Sequence, residues 1–126
     1  MVIDTGLFIE HIRAKDKSKT TLFHLSDSTN LFISTVTLYE LYAGATTDEK
    51  AKDLRLSTGH LKALAFNNET AIKAAQLYRE LKQKNKLIEF RDIFIAATCI
   101  VNELPLATLN KKHFERINGL KLVKLI

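Results

Sequence analysis

Short apolar runs alternate along the chain with longer segments in which apolar residues recur at helical spacing. The short runs predict strands at residues 1–3, 31–33, 63–66, 105–108 and 120–123. The periodic segments predict helices over residues 7–13, 20–25, 37–43, 48–56, 71–81, 92–104 and 111–117. Strands that alternate with helices favour an α/β fold of three layers, in which helices flank a mostly parallel sheet of short strands.

Two of the predicted helices carry distinct apolar faces. For the helix capped by Asn67-Asn68-Glu69, the predicted face consists of Ala71, Ala74, Ala75, Tyr78 and Leu81. For the helix that Asp92 opens, it consists of Ile93, Ala97, Ile100, Val101 and Leu104. Each pattern is typical of a helix that packs one side against a core.

The composition is that of a globular protein with 126 residues, which we expect to form one domain over residues 1–126. No apolar run approaches the roughly 18 residues of a membrane span, and Met1-Val2-Ile3-Asp4 lacks the basic start of a signal peptide. We therefore expect a cytoplasmic protein without a membrane partner. The single cysteine, Cys99, lies in an apolar segment and is predicted to be a small buried side chain.

The net charge of +5 comes entirely from the second half of the chain. Residues 1–63 hold eight basic and eight acidic side chains, whereas residues 64–126 hold eleven and six. The richest stretch is 79–86, with Arg91 just beyond it. Such a stretch attracts polyanions, although lysines at a solvated helix end that complement the helix dipole are the simpler interpretation.

Four polar residues occupy positions that a parallel sheet would bring together. Asp4 ends the first predicted strand, Glu40 follows the second by about two helical turns, and Asp92 opens a helix. Asn110 lies just beyond the strand that ends at Thr108. Because ligands of α/β folds bind outside the carboxyl ends of the strands, we expect these residues to face one cleft.

Carboxylates held close together repel, so that one must take up a proton or a cation must neutralise them. Mg²⁺ or Mn²⁺ suits an all-oxygen site, lowers the pKa of a bound water and offsets charge on a phosphodiester. The chain has no CxxC, HExxH, P-loop or GxSxG motif. Taken singly, each acid has a simpler role: Asp4 as a helix cap, Glu40 on a solvent face and Asp92 as a first-turn carboxylate.

Four segments in order resemble the PIN-domain nucleases, and specifically the VapC-type toxins of bacterial toxin–antitoxin pairs. They are VIDTGLFI (2–9), ISTVTLYEL (33–41), RDIFIAA (91–97) and LATLNKKHF (106–114). Residues 117–120 also resemble the family's ending, whereas 45–83 match in helical character alone.

The resemblance implies a PIN fold and a Mg²⁺- or Mn²⁺-dependent endoribonuclease that acts as the toxin of such a pair. It implies that Asp4 and Asp92 bind the metal, and that Glu40 binds it or orients the attacking water. It also implies one well-held metal and a weaker or substrate-assisted second, because Asn110 stands where the family often has Asp.

Further residues match the family's site or its surroundings. Thr5 and Thr108 match hydroxyl positions that line the site, and His113 is expected on the surface rather than near the substrate. Four basic residues are candidates for guiding the RNA backbone: Lys82, Lys84, Lys86 and Arg91.

The expected partners are an RNA substrate and a neighbouring antitoxin, with the chain in a homodimer or a toxin–antitoxin hetero-oligomer. The apolar and aromatic residues Leu38, Tyr39, Tyr42 and 7–12 fit either a core or an interface. The RNA sequence that is cleaved is not predicted, since specificity in RNA recognition resides in loops and splayed bases.

Two other functions compete with this interpretation. A PIN-like module could grip RNA or protein without cutting it, and the neutral Asn110 keeps that alternative open. A phospho-accepting domain needs an acceptor Asp after a central strand, which residues 31–34 and 63–66 do not supply.

Overall fold

The structure, a computed structural model, describes residues 1–27 and 30–125 and contains a four-stranded parallel sheet. The strands are β1 (Val2–Ile3), β2 (Phe32–Ser34), β3 (Lys62–Leu64) and β4 (Leu106–Ala107). Their order in the sheet is β3-β2-β1-β4, with every pair of neighbours parallel. The predicted fold class is confirmed.

The strand order reverses between β1 and β4. The chain runs outward from β1 to β2 and β3, and then returns to place β4 on the other side of β1. Ile3 pairs with Ala107, and the amide of Asp4 donates a 3.0 Å hydrogen bond to the Ala107 carbonyl. The residues that directly follow the two strands, Asp4 and Thr108, therefore lie side by side at the switch point, the usual ligand position in such sheets.

Seven α-helices and one short 3-10 turn, Lys17–Lys19, connect the strands within the described ranges. The helices are α1 (Thr5–Arg13), α2 (Thr21–Leu25), α3 (Thr35–Gly44), α4 (Asp48–Thr58), α5 (Asn68–Gln83), α6 (Phe90–Val101) and α7 (Lys111–Phe114). Every predicted helix is present. Two of them end three residues earlier than predicted: α6 at Val101 instead of 104, which leaves Leu104 outside the helix, and α7 at Phe114 instead of 117.

Polar side chains fix where most of these helices start. At five helices the residue before the first turn accepts a hydrogen bond from a first-turn amide, which satisfies a backbone donor that the helix leaves free. These caps are Asp4, Thr20, Ser34, Thr47 and Asn67. Asp4 and Ser34 combine this role with a position at a strand end, so that the same residue stops the strand and starts the helix.

Two apolar clusters cover the two faces of the sheet, as expected for three layers. Val2 points into the cluster formed with α5 and α6, whereas its neighbour Ile3 points into the cluster formed with α1 to α4. Successive strand residues face opposite sides, so even a two-residue strand contributes to both layers. Leu106 and Ala107 of β4 divide in the same way.

The predicted apolar face of α5 is partly wrong. Ala71 and Ala75 are exposed, and the side that packs against α6 consists of Thr70, Ala74, Leu77 and Leu81. Alanine suits a helix at any exposure, so alanines mark a buried face poorly. The α6 prediction was too narrow, because Ile95, Ala96 and Cys99 are buried as well. The predicted burial of Cys99 is confirmed.

The predicted last strand, at residues 120–123, is also wrong. The segment makes an isolated parallel bridge between Leu122 and Leu106, held by backbone bonds from the Leu106 amide to Lys121 and from the Val123 amide to Leu106. Because β4 has only two residues, it offers too little edge for a longer ladder. No helix in the described residues is long and apolar enough to cross a membrane.

Candidate active site

Asp4 is the most enclosed of the predicted acidic residues, with 7% of its surface exposed. Its Oδ1 accepts a 2.8 Å bond from the Thr5 amide, and its Oδ2 accepts a 2.6 Å bond from Thr108 Oγ1. Burial raises the pKa of Asp4, these two hydrogen bonds partly oppose the shift, and the charges of Asp92 and Glu40 raise the pKa further. Asp4 is thus a rigidly held carboxylate whose charge the fold alone does not neutralise.

Glu40 faces this carboxylate from α3. Its Oε1 accepts a 2.9 Å bond from Thr5 Oγ1, and its Oε2 accepts a 3.1 Å bond from Arg91 Nη1. Its side chain is 16% exposed, so the solvent-facing interpretation of Glu40 is wrong. Thr5 contacts both acids, through its amide to Asp4 and its hydroxyl to Glu40, as its predicted position in the site requires.

Two buried residues of the site were missed in the sequence. Thr37 Oγ1 lies 3.0 Å from Thr5 Oγ1 and accepts a 3.2 Å bond from Ser34 Oγ. Ser34 in turn caps α3 by accepting from the Thr37 amide. The signal that could have found them is the spacing of three from Ser34 to Thr37 to Glu40, which puts all three on one side of the start of α3.

Asp92 lies in the first turn of α6 and is buried. Burial raises its pKa, while a hydrogen bond from His113 and the charge of Arg91 lower it. His113 Nδ1 lies 3.3 Å from Asp92 Oδ2. His113 is thus partly exposed, as expected of a surface histidine, and it also contacts Asp92.

Asn110 contacts the site indirectly. Its amide donates a 3.0 Å bond to Thr108 Oγ1, and its side-chain Nδ2 lies 2.8 Å from His113 Nδ1. Asn110 thus braces the turn after β4 and contacts His113, and it reaches the acids only through Thr108 and His113.

These contacts form a closed circuit that begins and ends at α6. Starting from Asp92, it passes through His113, Asn110, Thr108, Asp4, Thr5, Glu40 and Arg91. The sequence neighbours Arg91 and Asp92 close it. The three acids that are dispersed in sequence thus lie on one circuit of contacts at the carboxyl edge of the sheet, without forming a three-residue metal cluster.

Comparison with protein families matches residues 1–120 to the PIN domain. The chain belongs to the PIN-domain family.

This PIN domain is similar to curated proteins named as VapC ribonucleases. It is 29% identical to Ribonuclease VapC1 of Methanocaldococcus jannaschii over 97% of this chain and 85% of that protein. It is 30% identical to Ribonuclease VapC10 of Mycobacterium tuberculosis over 96% of this chain and 90% of that protein. The predicted membership of the VapC group is confirmed.

Solved structures of VapBC complexes share the fold of this PIN domain. VapBC2 from Rickettsia felis, bound to a DNA fragment from its promoter, gives a TM-score of 0.87 at 25% identity, covering 99% of this chain and 98% of that chain. DNA-bound VapBC from Salmonella typhimurium gives a TM-score of 0.81 at 28% identity, covering 97% of this chain and 95% of that chain.

The carboxylate oxygens of this PIN domain are suitable ligands for a divalent metal, but the acids do not form a cluster of three ligands. Within residues 1–27 and 30–125, no three His, Cys, Asp or Glu side chains converge closely enough to hold one ion. Asp4 and Asp92 are buried carboxylates with raised pKa values, which a cation would relieve. Mg²⁺ is commonly held by one or two carboxylates, with water and substrate phosphate completing its shell. The site therefore fits a metal held by two acids, with Glu40 engaged by Thr5 and Arg91.

The four predicted RNA-contacting cations are exposed but differ in their contacts. Arg91 binds Glu40 and also Glu89, at 2.9 Å. Lys82 Nζ lies 5.8 Å from the centre of the Tyr78 ring. Arg91 is thus part of the acidic circuit, whereas Lys82, Lys84 and Lys86 lie at the end of α5 and in the turn that follows it.

Proposed function

We propose that this PIN domain is a Mg²⁺- or Mn²⁺-dependent endoribonuclease that acts as the toxin of a toxin–antitoxin pair. The observation that carries the proposal is Asp4, a carboxylate at the switch point of the sheet whose pKa is raised mainly by burial, with the charges of Asp92 and Glu40 adding to the shift. A fold that keeps three acids together at such a position maintains an unfavourable arrangement, which a bound cation would relieve. The names of the VapC relatives support ribonuclease as the activity.

We assign Asp4 and Asp92 as the metal ligands and Glu40 as the residue that orients the attacking water. The assignment rests on the contacts of Glu40, whose two oxygens already accept bonds from Thr5 and Arg91. Thr5 and Thr108 keep Asp4 in one orientation, and His113 does the same for Asp92. When bound, Mg²⁺ or Mn²⁺ would lower the pKa of its water and offset charge on the phosphodiester.

A cognate antitoxin is the proposed protein partner, in a toxin–antitoxin hetero-oligomer. Two solved structures that share the fold are VapBC complexes. A basic antitoxin side chain among the three acids would replace the cation electrostatically. The purified complex should then bind Mn²⁺ more weakly than the free toxin, and equal affinities would contradict this mode of inhibition.

RNA cleavage by the purified chain tests the proposal. A labelled RNA should be cut with Mg²⁺ or Mn²⁺ and remain intact with EDTA, and Asp4→Asn should abolish cleavage. Asp53→Asn, the same substitution at an exposed position in α4, is the matched control and should cut as the parent does. Cleavage that survives both EDTA and Asp4→Asn would refute the mechanism.

The alternative is a PIN-like module that binds RNA or protein with little turnover. The observation that favours it is Asn110, a neutral side chain directed at His113 rather than at the acids. The same cleavage assay separates the two functions, because a binding module would leave the RNA uncut at every metal concentration.

A further inference from the structure

His113 and Asp92 place a ring nitrogen and a carboxylate oxygen side by side in the acidic site. His113 Nδ1 lies 3.3 Å from Asp92 Oδ2. A hydrogen bond between a charged nitrogen donor and a carboxylate is usually shorter, at about 2.7–2.9 Å. Two neighbouring ligands of one divalent ion, each about 2.1 Å from it, lie about 3.0–3.4 Å apart in octahedral or tetrahedral geometry. The observed separation therefore fits two ligands of one ion.

The ring nitrogen of His113 also faces two groups with opposite requirements. Asn110 Nδ2, 2.8 Å away, is an amide nitrogen that donates a proton, whereas Asp92 Oδ2 accepts one. Nδ1 carries either a proton or a lone pair, so it satisfies only one of these groups at a time. A cation between Nδ1 and Oδ2 is bound by both atoms at once. Asn110 is exposed, and its amide is free to release the ring when the cation binds.

Packing in one apolar cluster fixes the backbone on both sides of this pair. Phe114, which follows His113, is 1% exposed, and Ile93, which follows Asp92, is 2% exposed. Both belong to the cluster that α5 and α6 form on their side of the sheet. Close-packed interiors hold such anchors firmly, so the nitrogen and the oxygen are placed before any ion arrives. The His113 side chain is 41% exposed, which leaves the pair open to an entering ion.

A neutral nitrogen ligand also suits the charge balance of the site. Arg91 binds Glu40, which leaves Asp4 and Asp92 as the carboxylates that a cation would relieve. A third carboxylate at the cation would add repulsion, whereas imidazole adds a ligand without adding charge. Within residues 1–27 and 30–125, Asp4 does not join Asp92 and His113 in a group of three that could hold one ion. Asp92 and His113 are therefore the two candidate ligands that are already in contact, and water or substrate phosphate would complete the shell.

We propose that His113 is a ligand of the metal, bound through Nδ1 beside Asp92, and that it makes the site favour Mn²⁺ and later transition ions over Mg²⁺. The inference rests on the proposed metal-dependent function and names a ligand and the metal preference of that site. Mg²⁺ prefers oxygen ligands, whereas imidazole suits transition ions, whose affinity for a given site rises from Mn²⁺ to Ni²⁺. A nitrogen ligand therefore raises the affinity for Mn²⁺ and Ni²⁺ relative to that for Mg²⁺.

The competing role for His113 is to orient Asp92 by a hydrogen bond without touching the metal. In that role, its substitution weakens the binding of every divalent ion by a similar factor, typically about 10- to 100-fold. As a ligand, its substitution weakens the binding of Ni²⁺ and Mn²⁺ more than that of Mg²⁺. The metal preference, rather than the affinity for one ion, therefore distinguishes the two roles.

His113→Gln measures this preference by calorimetry on the metal-free full chain, titrated separately with Mg²⁺, Mn²⁺ and Ni²⁺. Glutamine keeps an amide that can hydrogen-bond to Asp92 but removes the imidazole nitrogen. The increase in the Ni²⁺ dissociation constant should exceed the increase for Mg²⁺ by about tenfold or more. His60→Gln, the same substitution at an exposed position after α4, is the matched control and should bind all three ions as the wild type does. Thermal melts of both variants should match that of the wild type.

Pulsed electron paramagnetic resonance of the Mn²⁺-loaded protein detects the nitrogen ligand directly. A nitrogen nucleus bound to Mn²⁺ modulates the electron spin echo, so the wild type should show this modulation and His113→Gln should lose it. His60→Gln should keep it. Labelling the histidines with ¹⁵N should change the modulation pattern, which assigns the nitrogen to an imidazole.

Two results would overturn the proposal. The first is that the echo modulation from nitrogen is absent in the wild type or unchanged in His113→Gln. The second is that His113→Gln weakens the binding of all three ions by the same factor, to within about twofold, as a residue that only orients Asp92 would.

Failure of the proposed function is recognised separately. The wild type would then cut no RNA with any of the three ions, while the nitrogen modulation and the metal preference still depend on His113. In that case the metal ligand stands and the cleavage proposal falls. If RNA is cut and His113→Gln changes neither metal measurement, the ligand assignment alone falls.

Discussion

Thr108 Oγ1 donates a 2.6 Å hydrogen bond to Asp4 Oδ2 across 104 positions of sequence. The same oxygen accepts the Asn110 amide, so the hydroxyl proton is directed at the carboxylate. The contact exists because β1 and β4 are parallel neighbours that end in register, and each of these residues is the first beyond its strand. Thr108 is therefore the side chain beyond the fourth strand whose hydrogen bond lowers the pKa of Asp4, against the larger effect of burial.

Thr108→Val should weaken catalysis and move its pH dependence. The hydrogen bond from Thr108 lowers the pKa of Asp4, so its loss raises that pKa and shifts the acidic limb of the rate profile to higher pH. We expect the rate at neutral pH to fall about tenfold or more, as is usual when a residue that supports a metal ligand is removed. Thr108→Ser should keep the parental profile. An unchanged profile for Thr108→Val would show that the hydroxyl does not set this ionisation.

Asp4→Asn should stabilise the metal-free protein at neutral pH. The pKa of Asp4 is raised in the folded state above its ordinary 3.8, so the folded protein binds the proton more tightly than the unfolded chain. The stability that this difference in pKa supplies is fully present below pH 3.8, and it is lost as the pH rises through the folded-state pKa. Urea unfolding in EDTA should give Asp4→Asn a higher free energy of unfolding than the wild type at pH 7. This difference should become smaller as the pH is lowered. The exposed control Asp53→Asn should show no such trend, and a wild type more stable than Asp4→Asn at pH 7 would contradict the prediction.

Arg91→Gln should tighten metal binding in the absence of RNA. The guanidinium neutralises Glu40 and places a positive charge beside Asp92. The pair is partly exposed, so we expect the Mn²⁺ dissociation constant to fall by only about two- to fivefold, measured by calorimetry. Glu89→Gln keeps the bond between Arg91 and Glu40 and should not tighten binding. Weaker binding to Arg91→Gln would show that Arg91 supports the metal site instead.

Cys99 should be inert to thiol reagents in the folded protein. It lies in the interior, and burial raises the pKa of its thiol to about 12, so the reactive thiolate is scarce under mildly alkaline native conditions. Labelling with an aromatic disulfide reagent should be slow in buffer and complete in urea. Stoichiometric labelling within minutes under native conditions would contradict the burial of α6.

Local signals in the sequence predicted four strands of the sheet and the placement of polar residues at its carboxyl edge. Asp4 and Thr108 directly follow short apolar runs, and polar residues at strand ends mark the carboxyl edge of a parallel sheet. Asn67 before a helical segment likewise predicted the start of α5. In each case the boundary of a helix or strand is fixed by a polar residue at that boundary. The boundary could therefore be predicted from local residues alone.

The features that the sequence did not predict depend on contacts between segments that are far apart along the chain. His113 joins the site only because the turn after β4 brings it to Asp92, and its own helix of four residues has no pattern that could indicate this. The pairing of Arg91 with Glu40 spans 51 positions and turns a predicted RNA contact into part of the acidic circuit. The segment at 120–123 has the apolar pattern of a strand, but it pairs with β4 only through the single bridge between Leu122 and Leu106.

The most direct test of the account compares metal occupancy with cleavage in one sample. Metal-free protein is titrated with Mn²⁺ in the presence of labelled RNA, while bound Mn²⁺ is followed by electron paramagnetic resonance and cleavage by gel. We predict that cleavage rises with the first equivalent of bound Mn²⁺, and that Asp92→Asn loses both together. Cleavage at full rate before any Mn²⁺ is bound would contradict the central claim.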